Sequence, residues 1–302
     1  MRTLYKTLYY PSRSSTFQLW YLTDWHVGAK AFDEKLFKQH VQQIAETQNA
    51  YWIGGGDYIE AISHVGDKRY NPEVLADWAL GHNDVMGVQV EHATKLVEPI
   101  ADKCLGLGVG NHEFQADKHY SRQIYWEIVS IISRMAKTPP EELAYGVHGF
   151  ILPTFRRGNA KSFGNSWQFV IYAHHGFGGG RLPGGHALTL NRVLGDYHCD
   201  LALMGHRHVL QITPKMITLP GKVTAQTRQA FGIFMPSYLG QYLDPLENGK
   251  PVDTYPELFG LPATPLGAFP ITVHPMERKM SMVIHSDALA ASESGIEYTK
   301  AA

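Results

Sequence analysis

Five short polar clusters, each directly after an apolar run, restrict this chain more than any other feature. They are Asp24-Trp25-His26, Gly56-Asp57, Gly110-Asn111-His112-Glu113, His174-His175 and Gly205-His206-Arg207-His208. Short apolar runs bounded by turn residues read as buried strands. Ending one of them, residues 104–109, on an Asn, a His and a carboxylate is expensive unless each polar group finds a partner. A metal centre supplies such partners, and open α/β sheets place ligands just beyond the carboxyl ends of their strands. Taken singly, each cluster has an ordinary reading. Asp24 and Asp57 fit caps or turns, a lone His fits a satisfied core or turn position, and His-x-His arises readily among 16 histidines. Five in order, all at strand ends, point instead to one shared site.

The pattern between the clusters supports α/β architecture. Residues 17–23 form a strand-length apolar run, and Asp33 reads as an N-cap. Phe37, Val41 and Ile44 then recur at helical spacing. Residues 50–53 make the next strand, completing a parallel βαβ unit. A second helix face runs through Met86, Val90, Ala93, Val97 and Ile100. A third runs through Ile124, Ile128, Ile131 and Met135 and stops before Pro139-Pro140. Residues 150–155 and 166–173 read as a hairpin-like pair of strands. A helix is expected around 188–197 and a buried strand at 201–204. Further strands are expected at 209–218, 223–238 and 271–284, with a Pro-rich connection at 244–270. Residues 1–16 fit an edge strand or an arm, and 286–302 a loose tail. Two βα-rich stretches alternating with strand-rich ones imply two sheets packed face to face with helices outside. A single domain over 1–302 is expected, with its motifs in 17–210 and C-terminal strands and the Pro-rich loop in 211–285; a separate C-terminal domain from about 209 is the alternative.

Composition narrows the function classes. A net charge of −1 argues against an electrostatic sheath for long nucleic acids. The first ten residues lack the apolar core of a secretory signal, and no run approaches the about 18 apolar residues of a membrane span. Cys104 and Cys199 sit in apolar surroundings and read as reduced, buried thiols, which favours a cytoplasmic location. With 16 His and 2 Cys, any metal site should use N and O ligands suited to hard or borderline ions.

With these residues in place, the chain resembles the calcineurin-like metallophosphoesterases. That family carries Asp-x-His, Gly-Asp, Gly-Asn-His-Asp/Glu, a single His after a strand, and Gly-His-x-His. All five parts occur here in order between Asp24 and His208. The resemblance implies a four-layer α/β/β/α sandwich of two mixed sheets with a dinuclear metal centre at the strand ends. It assigns Asp24, His26 and His208 to one ion and Asn111, His174 and His206 to the other, with Asp57 bridging both. Of the His174-His175 pair only one should ligate, and His174, directly after the run 169–173, is the expected one. The ions would be Mn, Fe, Zn, Ni or Co, with manganese favoured. In the implied reaction a hydroxide shared by the ions attacks phosphorus while His112 assists the leaving group. Glu113 and Asp24 are candidates to orient His112.

The implied activity is metal-dependent hydrolysis of a small phosphoester, with phosphodiesters favoured. A phosphomonoesterase or protein phosphatase, and a nuclease on DNA or RNA, stay open as alternatives, so nucleic acid stays open as a partner. No membrane partner is expected, and the oligomeric state is open. The glycine-rich stretch 176–185 lacks the Lys-Ser/Thr of a P-loop, but its backbone and Arg181 are candidates to contact phosphate, as is His175. His64, Arg69, Tyr70, Trp78 and His82 could wall the site, although a surface loop is the plainer reading.

Overall fold

Strand alternation decides where the core lies. The computed structural model describes residues 1–61, 74–158, 166–180, 182–220, 223–240, 260 and 262–283. In chain order the elements are β1 (Arg2–Tyr10), β2 (Phe17–Leu22), α1 (Glu34–Glu46), β3 (Ala50–Gly54), α2 (Val85–Leu96), β4 (Cys104–Gly108), α3 (Asn111–Tyr120), α4 (Ile124–Ala136) and β5 (Ala144–Gly146). They continue with β6 (His148–Arg157), β7 (Ser166–Gln168), β8 (Ile171–His174), α5 (Pro183–Asp196), β9 (Leu201–Met204), β10 (Gln211–Leu219), β11 (Gln226–Phe234), β12 (Ile271–His274) and β13 (Lys279–Met282). One sheet has the order β1-β6-β8-β9-β11-β10 with β7 beside β6, and the other has β13-β12-β2-β3-β4-β5. Both mix parallel and antiparallel pairs.

The inner faces of the two sheets meet. Phe17 of β2 packs on Phe155 of β6 with ring centroids 4.7 Å apart. Tyr21 of β2 donates its hydroxyl to the His174 carbonyl of β8 at 3.0 Å. The outer face of the first sheet, with Ala202, Met204, Ala230 and Phe234, is covered by Leu190, Val193 and Leu194 of α5. On the outer side of the other sheet, Phe37 of α1 packs on Trp25 at 4.8 Å, and Trp52 donates to the Ile100 carbonyl at 2.7 Å. This is an α/β sandwich of two mixed sheets, with the two packed sheets that the pattern implied and the mixed strand directions that the resemblance implied.

Local chemistry fixes the helix ends. Asp33 caps α1, its Oδ1 accepting the Leu36 N–H at 2.9 Å. At the other end Lys103 Nζ donates to the carbonyls of Ile44, Ala45 and Thr47. β2, α1 and β3 form the expected parallel unit.

Some elements differ from the sequence pattern. Residues 271–284 are not one strand: a turn splits them into the antiparallel pair β12 and β13. The first residues, by contrast, form one of the two expected alternatives: β1 is an edge strand parallel to β6. Helix α3, which starts at Asn111, has no apolar stripe to announce it, burying only Glu113 and Ala116. Both cysteines are free and buried, and burial pushes their thiols up to about 12. Among the described residues no helix is long and apolar enough to cross a membrane. The tail 286–302 and most of 244–270 lie outside the described residues.

Candidate metal centre

The carboxyl ends of β2, β3, β4, β8 and β9 deliver the five polar clusters to one place. Each chain turns sharply there. Asp24, His26, Asp57, His206 and His208 all hold a left-handed backbone, with φ of 52°, 55°, 51°, 69° and 52°. Non-glycine residues there carry roughly 1–3 kcal/mol of strain each and persist where the surroundings over-determine them. Backbone bonds do so here: Asp24 donates to the Gly56 carbonyl and His26 to the Asp57 carbonyl, both at 3.0 Å. Trp25, between two of these residues, anchors the turn in the core against Phe37 and Tyr58.

Two groups of donor atoms result. In the first, Asp24 Oδ1 lies 3.2 Å from His208 Nε2, which lies 3.3 Å from His26 Nε2. In the second, Asn111 Oδ1 lies 3.0 Å from His175 Nε2 and 2.7 Å from His206 Nδ1. Asp57 Oδ2 joins them, 3.1 Å from His175 Nε2 and 3.9 Å from His26 Nε2. With metal–ligand bonds of about 2.0–2.2 Å, neighbouring ligands of one ion lie about 3.0–3.5 Å apart. The donor spacing therefore fits divalent ions, and the mixed N/O set fits the borderline transition metals. Asp24-His26-His208 and Asp57-His175-His206 could each hold an ion.

Surrounding groups fix the ligand atoms. His26 donates Nδ1–H to Glu60 Oε2 at 2.9 Å, and His175 donates Nδ1–H to the Gly55 carbonyl at 2.9 Å. In both rings the Nε2 lone pair is thereby turned inward, an arrangement typical of metal-binding histidines. His112 donates Nδ1–H to the Glu60 carbonyl, and its backbone N–H to Asp57 Oδ1 at 2.8 Å. The His26, Glu60 and His112 donors also lie close together, but the Glu60 contacts are taken up in orienting the two rings.

Electrostatics favour a cation at the centre. Burial opposes ionisation of Asp24, but His175 and His208 outweigh it and hold the carboxyl down at about 2. Asp57 is held well below the usual carboxylate range against its burial by His175, His112 and His26. In return, Asp57 and Asp24 overcome burial and raise His175 to about 10. The field that holds a proton on His175 would equally attract a metal ion. Burial, aided by His175, lowers His206.

The structure corrects the sequence reading at the His pair. His175, not His174, faces the centre. In β8, Ile171 and Ala173 point between the sheets while Tyr172 packs under α5. Period two therefore sends His174 outward with Tyr172 and His175 back inward. The His174 ring lies beside His148 and Phe177, and its Nδ1 accepts the Gly176 N–H at 2.7 Å. His175 accordingly moves from expected substrate contact to candidate ligand. The other six expected ligands, Asp24, His26, Asp57, Asn111, His206 and His208, sit in the two groups described.

The guesses about orientation also change. Glu113 does not hold the His112 ring; its carboxylate accepts the N–H groups of Asp57, Tyr58, Ile59 and Gly110, tying β3 to the start of α3. Asp24 instead accepts the His206 N–H at 3.0 Å. Glu60, which does orient two rings, was missed, and its signal was a carboxylate inside the otherwise apolar 58–61. Trp78 stacks on His92 of α2, and His82 lies 3.1 Å from the Trp78 carbonyl, so neither walls the centre. Arg181, His64, Arg69 and Tyr70 lie outside the described residues.

The motif glycines are required by crowding. A Cβ on Gly110 would lie 2.1 Å from both the N and Oδ1 of Asp57, whereas one on Gly179 would meet nothing within 4 Å. Gly110→Ala is therefore expected to destabilise the metal-free protein by about 2–3 kcal/mol, and Gly179→Ala by no more than about 0.5 kcal/mol. Urea unfolding of the two variants checks this, and equal midpoints would contradict it.

No family model matches the sequence, and no curated protein does. Among solved structures, the chain is similar to a conserved uncharacterized protein from Streptococcus pneumoniae TIGR4, described as a predicted phosphoesterase. That match has 12% identity, covers 86% of this chain and 84% of the other, and has a TM-score of 0.29.

Proposed function

We propose that this chain is a metal-dependent hydrolase of phosphoesters, with a dinuclear centre and a preference for phosphodiesters. The observation that carries it is Asp57, whose one carboxylate oxygen faces ligand nitrogens of both donor groups, 3.1 Å from His175 and 3.9 Å from His26. Asp24, His26 and His208 would hold one divalent ion and Asn111, His175 and His206 the other, with Asp57 shared. When bound, two such ions supply positive charge for the phosphoryl oxygens and acidify water toward neutral pH. Manganese is the favoured metal.

His112 is the proton donor in this reading. Its Nδ1 is committed to Glu60, which leaves Nε2 for the substrate. Burial disfavours its charged form, but Asp57 and Glu60 outweigh burial and raise its pKa above the ordinary histidine value. When protonated, the imidazole can deliver its proton to a leaving alkoxide. The diester preference draws on Arg207, which stands between two candidate ligands and would be the anion clamp there. The guanidinium of Arg207 is engaged with the Phe177 carbonyl and Thr189 Oγ1. A dianionic monoester would draw more on such a clamp.

The decisive assay compares Mn-loaded protein on bis-p-nitrophenyl phosphate, p-nitrophenyl phosphate, DNA and RNA, with metal content measured in parallel. Faster turnover of the diester is expected. Inertness on every phosphoester at full metal loading would overturn the proposal. Faster monoester turnover, or nucleic-acid cleavage outpacing both, would replace the substrate class.

Metal uptake should also release protons. His175 is raised to about 10 in the metal-free protein, and an ion needs the lone pair that this proton occupies. Affinity should therefore rise with pH through the neutral range, and fall as pH falls, until His175 deprotonates on its own. Calorimetric titration with Mn at pH 7.5 in buffers of different ionisation enthalpy should give about one proton released for the ion that takes His175. A heat independent of buffer would contradict this.

A further inference from the structure

The proposed centre has a neighbour that the phosphoester chemistry does not use. On the outward side of β8, the ring of His174 is flanked by Phe177 at 5.5 Å and His148 at 5.7 Å, both edge to face. His148 in turn meets the ring of Tyr197 at 6.2 Å. Phe177 is half exposed, at 50%, although a phenylalanine in a glycine-rich loop gains nothing from facing water. Its neighbours Gly179 and Gly180 have open space where side chains would stand.

The backbone that carries this ring is held in place. Arg207, between His206 and His208, donates from Nε and Nη2 to the Phe177 carbonyl at 3.3 and 3.2 Å, and from Nη2 to Thr189 Oγ1 at 3.2 Å. Its guanidinium lies 4.9 Å over the ring of Phe234. Gly176 brings the loop against the same ligand turn: a Cβ there would lie 2.7 Å from His206 Cβ. Phe177 is therefore fastened through its carbonyl, and Gly176 through its close approach to His206, to the turn that carries two candidate ligands. Flat aromatic groups stack on such rings with little dependence on their identity.

We propose that Phe177 forms a stacking wall for a planar aromatic group carried by the phosphoester, so that the substrates are aryl or nucleoside phosphoesters rather than simple alkyl ones. This rests on the preceding functional reading, since the wall acts on a ligand whose phosphoryl group sits at the metal centre. Arg207 serves as a positioning residue that presents Phe177.

The test is calorimetric binding of non-hydrolysable phosphonates to the Mn-loaded protein. Phenylphosphonate is expected to bind about tenfold more tightly than methylphosphonate. The ratio should fall to about twofold or less in both Phe177→Ala and Phe177→Leu, the second of which keeps apolar bulk without the ring. Thymidine 5′-phosphonate distinguishes the two sources of the aromatic group. A gain like that of phenylphosphonate, lost in the same variants, assigns the wall to a nucleobase, and a gain for phenylphosphonate alone assigns it to a simple aryl ester. Equal binding of the phenyl and methyl compounds to the unmodified protein overturns the wall and leaves the metal centre standing, as does a ratio unchanged in both variants. If neither phosphonate binds while bis-p-nitrophenyl phosphate is still turned over, the wall is overturned and the metal centre stands; if neither binds and no phosphoester is turned over, the functional reading fails and the wall fails with it.

Discussion

Asp57→Asn is expected to lose metal from both positions and to lower phosphoester turnover by at least about 10³-fold. Asp57 is 2% exposed, so its charge is balanced by nearby groups rather than by water. Its Oδ2 faces nitrogens from both donor groups, and an amide there brings no charge and can present N–H to rings that need an acceptor. Its Oδ1 accepts the His112 N–H at 2.8 Å, a bond that an asparagine oxygen can also accept. The loop should thus keep its shape while the centre loses its shared anion, which separates this variant from one that merely unfolds. Metal analysis after dialysis, together with kcat/KM on a diester, checks the result. Two bound ions with substantial turnover would show that Asp57 is not the bridge. The same substitution should lower the His175 pKa, because Asp57 is the strongest of the groups raising it.

The sequence carried the site better than its surroundings. Asp24, His26, Asp57, Asn111, His206 and His208 were legible because each follows a buried strand, where an unpartnered polar group is expensive. His174 was misread because adjacency to an apolar run says that a strand ends there, not which face its last residue takes. The answer lay in the alternation of Ile171, Tyr172 and Ala173, and it needed the knowledge that Tyr172 packs under α5. Glu60 was missed for a different reason. Its role, holding His26 through the carboxylate and His112 through the carbonyl, exists only once β3 and the start of α3 are side by side. Helix α3 escaped notice because its polarity serves the site. Its first turn gives up the apolar stripe to present Asn111 and His112 and to bury Glu113 against four backbone N–H groups. The left-handed backbone at five candidate ligands had no signal in residue type, since none of the five is glycine.

His112→Ala carries the second large effect. It is expected to keep both metals and to slow hydrolysis by about 10²–10⁴-fold, the range for loss of a general acid. Retention of metal follows from the geometry: the His112 ring is tied to the Glu60 carbonyl, and the link to Asp57 is made by the backbone N–H, which alanine also has. The loss should depend on the leaving group. An alkoxide needs the proton and should suffer most, whereas p-nitrophenolate departs without help and should suffer least. The donor role gives the sign of the pH effect through the His112 pKa of the metal-loaded protein. Rate should fall as pH rises through that pKa, because the protonated form is the active one, and this alkaline limb should vanish in His112→Ala. An equal slowing for both leaving groups, with the limb unchanged, would move His112 from proton donor to a contact that steadies the phosphoryl oxygens.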